Sequence, residues 1–322
     1  MLNYAFEEII MQITNNIMMI RPVSFKYNKE TSVNNYYQKT LDLDDNQIQS
    51  KALIEFDNFV NKLRNVGVNV FVFHDSLHPH TPDSIFPNNW VSFHDNGTVG
   101  LYPMYAVNRR NERRSDILDL LTSKYNFTIN RIEDFTSFEK DHQFLEGTGS
   151  MVLDRENKIS YVALSKRSDK SIVEKFCQTF GFSSVIFKAY QNIENKRLEI
   201  YHTNVMMCIA ENFAVICLDA IDDKLEKQNV IDSLKQTGKD IIEISEQQKE
   251  FFAGNMLQVI GDKKYLVMST TAYNSLNFDQ IKKINYYCAI LHSSLKIIES
   301  CGGGSARCMM AEIFLPKNDD SK

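Results

Sequence analysis

One order of segments recurs along this chain and dictates what it can fold into: two short apolar runs joined by a tight polar turn, then an amphipathic helix, then a further apolar run. Trp90 to Phe93 and Val99 to Tyr102 flank Asp95-Asn96-Gly97, whose Asn-Gly is a strong hairpin signal, ahead of a helix around 112–124 and a strand near 126–132. Met151 to Leu153 faces Tyr161 to Leu164, before a helix over 170–180 and a strand at Val185 to Phe187. Val205 to Ala210 and Phe213 to Leu218 turn at Glu211-Asn212, before a helix over 223–235 and a strand at Ile241 to Ile244. Met256 to Ile260 and Tyr265 to Met268 turn at Gly261-Asp262, before a helix over 276–288 and a strand at Leu295 to Ile298. A strand after Gly302-Gly303-Gly304 is completed by the N-terminal strand Asn16 to Val23, which precedes a helix with apolar positions Ile48, Phe56, Phe59, Val60 and Leu63 and the strand Val68 to Phe73.

Repeats of this length bury each unit's apolar face against its neighbours, so no domain boundary is drawn. The expected fold class is α/β: a five-bladed, pseudo-symmetric α/β propeller of hairpin, helix and strand, whose closure leaves no open sheet edge. It is expected to be a single domain over residues 1–322, with 1–12 a leader and 316–322 a flexible tail.

The entrances to the hairpins carry Asn89, Glu146, His202, Asn255 and Cys308, separated by 57, 56, 53 and 53 residues. In a ring, equivalent addresses converge on one end of the axis, which gathers a thiol, an imidazole and a carboxylate. Taken singly, each has a plain alternative: a buried Cys that acts as a small hydrophobe, a hydrogen-bonded His, a turn carboxylate. Together they fit nucleophilic catalysis. A thiol of pKa ~8.5 needs a neighbour to make it a thiolate, and an imidazole can do this and then protonate a leaving amine. Three glycines before Cys308 free the backbone for close approach.

Composition excludes other classes. A formal charge of -5 and a pI near 5.9 make no field for nucleic acid or anionic lipid. The 43% apolar content is ample for a core, and no apolar run reaches the ~18 residues needed to span a bilayer. The six cysteines form no CxxC pair, and Met1 to Glu8 lacks the basic start of a secretory signal, so reduced thiols and a cytoplasmic location are expected. His74, His78 and His80 fit no closed metal site and lie in a loop beside Pro79 and Pro82.

The ordered set Phe86-Pro87-Asn88-Asn89-Trp90, Phe144-Leu145-Glu146-Gly147-Thr148-Gly149, His202-Thr203-Asn204, Ala253-Gly254-Asn255 and Gly302 to Met309 resembles the arginine deiminase and amidinotransferase superfamily. The likeness runs from about Met18 to Leu315 and is nearest to the citrulline-utilisation hydrolase branch. It implies the five-bladed propeller, Cys308 as nucleophile, His202 as general acid and base, Glu146 as its carboxylate partner, and no metal or organic cofactor. Relatives such as the dimethylarginine hydrolases clamp the substrate α-carboxylate with two arginines, a role the resemblance gives to Arg110 and Arg167.

Arginine-processing relatives surround the guanidinium with acidic residues. Here Asn204, Asn88 and Asn89 stand at such positions and Asp83 is the remaining carboxylate. Burying a guanidinium without counter-charge costs several kcal/mol, whereas amides can serve both ends of a neutral ureido group. The expected activity is hydrolysis of the citrulline ureido group to ornithine, CO2 and ammonia through an S-carbamoyl cysteine. The alternatives are an arginine deiminase, a dimethylarginine dimethylaminohydrolase or an amidinotransferase, a binding protein for ureido or guanidino amino acids, and a structural repeat protein. Expected partners are a small amino-acid substrate and at most a second copy forming a homodimer, with neither nucleic acid nor membrane.

Overall fold

Each repeat folds as a three-stranded sheet in which an antiparallel hairpin is extended by a parallel strand, in a computed structural model that describes residues 11–318. The first comprises Val91–Phe93, Thr98–Leu101 and Arg131–Asp134; the second Met151–Asp154, Ile159–Ala163 and Ser183–Phe187. The third comprises Met207–Ile209, Phe213–Ile216 and Asp240–Glu243; the fourth Leu257–Ile260, Lys264–Ser269 and Ala289–Ser293. In the fifth, Asn16–Arg21 pairs antiparallel with Ala311–Glu312 and parallel with Asn69–His74, so both ends of the chain build one sheet. A parallel strand needs a crossover, and the helices Asp45–Asn65, Ser115–Ser123, Lys170–Phe180, Lys224–Gln236 and Phe278–Tyr287 supply it.

Neighbouring sheets share their cores in cyclic order. Met18 and Ile20 of the fifth pack with Val91 and Phe93 of the first, and Tyr102 and Phe135 with Met151 and Val162 of the second. Tyr161 of the second joins Met207 and Val215 of the third and Leu266 and Met268 of the fourth. Val259 and Val267 of the fourth pack with Ile17, Met19 and Val70 of the fifth. Among the described residues no helix is long and apolar enough to cross a membrane.

Several elements differ from expectation. The strand near 126–132 forms later, at Arg131–Asp134, because Phe127 is buried beside Phe71 and bridges to Lys317. The helix begins at Ser115, since 108–112 is a tight 3-10 turn. Leu295 to Ile298 is not a strand: Ala289–Ser293 takes that place, and Lys296–Gly302 is helical, burying Ile298, Cys301 and Gly302 at helical spacing. A hairpin of Tyr190–Ile193 and Lys196–Glu199 lies outside the repeat, and 22–44 is a long irregular strap. The leader and tail over 1–10 and 319–322 lie outside the described residues. Among the described residues, Gln12 is buried and donates to Leu153 O in the second sheet, and Asn318 N donates to Asn126 O in the loop before Arg131–Asp134.

The helix Lys296–Gly302 positions the glycine run. Its first N–H groups, on Ile297 and Ile298, donate to the Glu55 carboxylate at 3.0–3.1 Å, and it ends at Gly303 in the left-handed region at φ +64°. Glu55→Ala is expected to cost about 1–2 kcal/mol, read as a lower urea midpoint at unchanged slope, because two N–H groups at a helix start lose their acceptor.

Candidate active site

A short turn precedes the first strand of every hairpin, and its geometry turns one side chain inward. Asn89 N bonds Phe86 O, Gly149 N bonds Glu146 O, Val205 N bonds His202 O, Asn255 N bonds Phe252 O and Cys308 N bonds Ser305 O. The five residues at the equivalent address, Asn89, Glu146, His202, Asn255 and Cys308, are each at most 3% exposed. Buried polar groups need partners: Glu146 pairs with His202 and Asn255 with Cys308, while Asn89 is met by Arg109 and Asn88.

His202 Nε2 lies 2.7 Å from Glu146 Oε2, which also faces Arg167 Nη1 at 3.3 Å, while Glu146 Oε1 accepts from Tyr105 N at 2.9 Å. Burial alone would raise the Glu146 pKa, but the Arg167 guanidinium and the His202 hydrogen bond outweigh it and hold the carboxyl below its ordinary range. An ionised carboxylate can only accept, so His202 carries its proton on Nε2 and leaves Nδ1 as the base. Burial, reinforced by Arg167 and Arg109 against the pull of Glu146, lowers the His202 pKa to about 4, so the imidazole is neutral. Gly149 makes room: a Cβ there would collide with the Asn89 amide and lie 2.8 Å from His202 Nδ1.

Two amides address the thiol. Asn255 Nδ2 donates to Cys308 Sγ at 3.2 Å and Asn204 Nδ2 at 3.5 Å, and Asn255 Oδ1 accepts from Arg307 N, which fixes which end of that amide faces the sulfur. Cys308 and His202 line one enclosed cavity with Asn89, Asp83, Arg109 and Arg167. Its free volume is about 10 Å³, room for no more than one water, because Thr31 and Asn35 of the strap close it. Asp83 Oδ2 accepts from Asn28 and Thr31, while its Oδ1 is buried without a partner. Burial raises the Asp83 pKa against the opposing pull of Arg109.

Of the residues expected from sequence, Asp83, Asn89, Arg167, His202 and Cys308 share the cavity wall, and Glu146 supports it through His202. Asn88 and Asn204 stand one layer behind: Asn88 Nδ2 donates to Thr148 Oγ1, and Asn204 reaches the wall only through the thiol. Arg110 is not in the wall. It points away, with Nε donating to Met104 O and lying 3.5 Å from Glu139, and Arg109 takes the inward place. Arg109 is paired through Nε and Nη2 with Glu112, both at 2.9 Å, and gives Nη1 to Asn89 Oδ1 at 2.7 Å. The signal was in the spacing: in a tight turn, residues three apart share a face, so Arg109 goes with Glu112 while Arg110 and Arg113 go together to Glu139. Among the described residues no three His, Cys, Asp or Glu side chains are grouped as metal ligands would be.

A family model described as N,N dimethylarginine dimethylhydrolase, eukaryotic, matches residues 21–315. No curated protein matches the chain in sequence. Among solved structures, ArgZ, an arginine dihydrolase of the cyanobacterial ornithine-ammonia cycle, superposes with a TM-score of 0.70 at 17% identity over 95% of this chain and 41% of its own. AgrE in a ternary complex with ornithine and NAD+ gives 0.70 at 16% identity over 95% of this chain and 40% of its own. A dimethylarginine dimethylaminohydrolase in adduct with S-methyl-L-thiocitrulline gives 0.63 at 14% identity over 94% and 100%. The chain therefore spans about two fifths of full-length ArgZ and AgrE, and it covers 99% of the isolated N-terminal domain of ArgZ. By the extent of the family match, the chain belongs to the N,N-dimethylarginine dimethylhydrolase family, and so to the arginine deiminase and amidinotransferase superfamily that its motifs resemble.

Proposed function

We propose that this protein is a cysteine hydrolase of the citrulline ureido group, one catalytic domain whose five sheets close into an α/β propeller around the site. The cyclic sharing of cores between neighbouring sheets supports the ring. The observation that carries the substrate is the make-up of the cavity wall. Two guanidinium groups, Arg109 and Arg167, already stand there, and Asp83 Oδ1 is the carboxylate oxygen left unpartnered. A substrate guanidinium would be a third buried cation with one carboxylate to meet it. A ureido group is neutral; it can give an N–H to Asp83 Oδ1, and the amide of Asn89 can serve the rest.

Cys308 passes its proton to neutral His202 as sulfur attacks the ureido carbon, with Asn204 and Asn255 donating to the sulfur as charge develops. The C–S bond forms, His202 protonates the departing nitrogen, the C–N bond breaks, and ornithine leaves an S-carbamoyl cysteine. His202 then takes a proton from water, hydroxide adds to the carbamoyl carbon, and the C–S bond breaks as His202 returns the proton to sulfur. Carbamic acid departs and breaks down to CO2 and ammonia. Glu146 holds the imidazole and stabilises its charged form throughout.

Arg167 is proposed to bind the α-carboxylate. In the closed state its Nε donates to Asn34 Oδ1 at 2.9 Å and its Nη2 to Thr31 O at 2.9 Å, oxygens that a carboxylate would replace when the strap moves. A cavity of about 10 Å³ requires that movement for substrate entry. Arg110, outside the wall, is assigned no part. All six cysteines are unpaired, which fits a reducing cytoplasm, and the proposed chemistry calls on no cofactor and no second copy of the chain. The family match favours a second reading, an arginine or methylarginine substrate in the same site.

Wild type pulsed with citrulline and examined as intact protein is expected to gain a carbamoyl mass on Cys308, absent in Cys308→Ala. Ornithine should be released from citrulline faster than citrulline from arginine or dimethylarginine; the reverse order would select the second reading. Asn89→Asp adds a carboxylate to the wall and should raise kcat/KM for arginine relative to citrulline by about tenfold or more, roughly 1.4 kcal/mol. For pH, His202 must be neutral to start the reaction, and its pKa of about 4 predicts that kcat/KM is lost only as pH falls through that value. Its folded value lies below the ordinary ~6.5, so the associated stability is complete above ~6.5 and declines toward the folded value; circular dichroism run in parallel separates the two losses.

A further inference from the structure

Beside the catalytic cavity lies a second, roomier pocket of about 540 Å³ that the proposed reaction does not use. It opens between the strap, the extra hairpin of Tyr190–Ile193 and Lys196–Glu199, and the helix Lys296–Gly302. That volume is in the range of small-metabolite sites.

Two buried charges of opposite sign flank it, neither with a counter-charge in ion-pair distance among the described residues. Behind Gln191 and Tyr37 sits Lys249, fully buried, whose Nζ reaches only neutral groups: the Tyr37 hydroxyl at 3.2 Å and Gln191 Oε1 at 3.4 Å. The nearby Glu246 carboxylate is taken by Arg197 at 2.7 Å. An ammonium can only donate, so the Gln191 end facing it is the oxygen, and Gln191 Nε2 is left buried with no acceptor. On the opposite side Glu299, 4% exposed, accepts from Ser305 Oγ at 2.6 Å and is also met by the Ser269 and Thr271 hydroxyls, but it has no cation in ion-pair distance among the described residues. Burial lowers the Lys249 pKa and raises that of Glu299, as expected for charges without counter-charge. Tyr37 and Phe252, with ring centroids 5.1 Å apart, supply an apolar surface between them.

We propose that this pocket is a second ligand site that takes a small zwitterionic amino acid, its carboxylate on Gln191 Nε2 above Lys249 and its ammonium toward Glu299. The occupant would touch the groups that hold the strap closed over the catalytic cavity. Lys39 N donates to Ser300 O and Gln38 Nε2 to Cys301 O, while Tyr37 packs edge-on against Tyr201, whose hydroxyl donates to Gly303 O at 2.7 Å. A filled pocket therefore favours the closed strap and lowers kcat without competing for the cavity. Ornithine, the amino acid released in the reaction proposed above, is the natural probe, and that choice of probe rests on the functional proposal.

Cys308→Ala is titrated calorimetrically with L-ornithine, alone and with Gln191→Leu or Lys39→Glu added. One binding event is expected to be lost, or weakened at least tenfold, in each double variant, and neither putrescine, which lacks the carboxylate, nor pentanoate, which lacks the ammonium, should fill it. Lys39 is exposed and lines the pocket, so its variant tests the site even where Gln191→Leu fails to fold. Stoichiometry and affinity unchanged in both variants overturn the proposal. Loss of the event in a protein that does not turn over citrulline leaves this site standing and removes the functional proposal, whereas turnover with unchanged ornithine binding does the opposite.

Discussion

A carboxylate with no access to water is the constraint on which this site depends. Glu146 is completely buried, and a buried carboxylate without partners would cost several kcal/mol. The fold meets that demand with groups from three different segments: Tyr105 N, Arg167 and His202. The backbone is tied in the same place, since Glu146 N and Ser150 Oγ both donate to Arg167 O. Orientation of the imidazole is thus a by-product of satisfying one anion. Because Arg167 supplies much of the counter-charge, Glu146 stays ionised while His202 stays neutral, which divides anchor from base.

Arg167 also faces the other way. The same guanidinium that steadies Glu146 gives its remaining donors to Asn34 and Thr31 on the strap, and Arg109 is likewise saturated by Glu112, Asn89 and main-chain oxygens. Closing the strap therefore gives every nitrogen of Arg167 an acceptor without substrate. The orphans are Asp83 Oδ1 and Asn34 Nδ2, an acceptor and a donor buried without partners. Each such group costs about 1–3 kcal/mol, so a ligand that satisfies both recovers part of what opening the strap costs.

The repeat was legible because hairpins announce themselves locally: Asn96-Gly97 turns where it should, with Gly97 at φ +77°. So were the five inward addresses, since a constant spacing in sequence becomes a constant place in a repeat. What escaped was decided mostly by contacts distant in sequence. Leu295 to Ile298 has a strand-like composition, yet Glu55, some 240 residues away, caps it as a helix. The choice of Arg109 over Arg110 is the local exception, set by a turn that buries Glu112, while the strap has no periodicity because it is an irregular segment held to the site by Asn28, Thr31 and Asn35.

Neutral amides around the thiol follow from the charges that the chemistry must carry. A sulfur anion, an oxyanion on the attacked carbon and a substrate carboxylate would all be negative in the same small space, so acidic residues at 89, 204 and 255 would oppose each of them, and donors would not. Asn204 and Asn255 present N–H groups to Cys308 Sγ, and Asn89 is held by Arg109 through its oxygen, which keeps an N–H on the side of Asn88 and the His202 turn. Hydrogen bonds to charged groups are worth about 1.5–3 kcal/mol, more than those to neutral ones, so this pair of donors is placed where negative charge would develop during attack. A guanidinium substrate would supply its own positive charge and make these donors redundant; a ureido group supplies none and needs them.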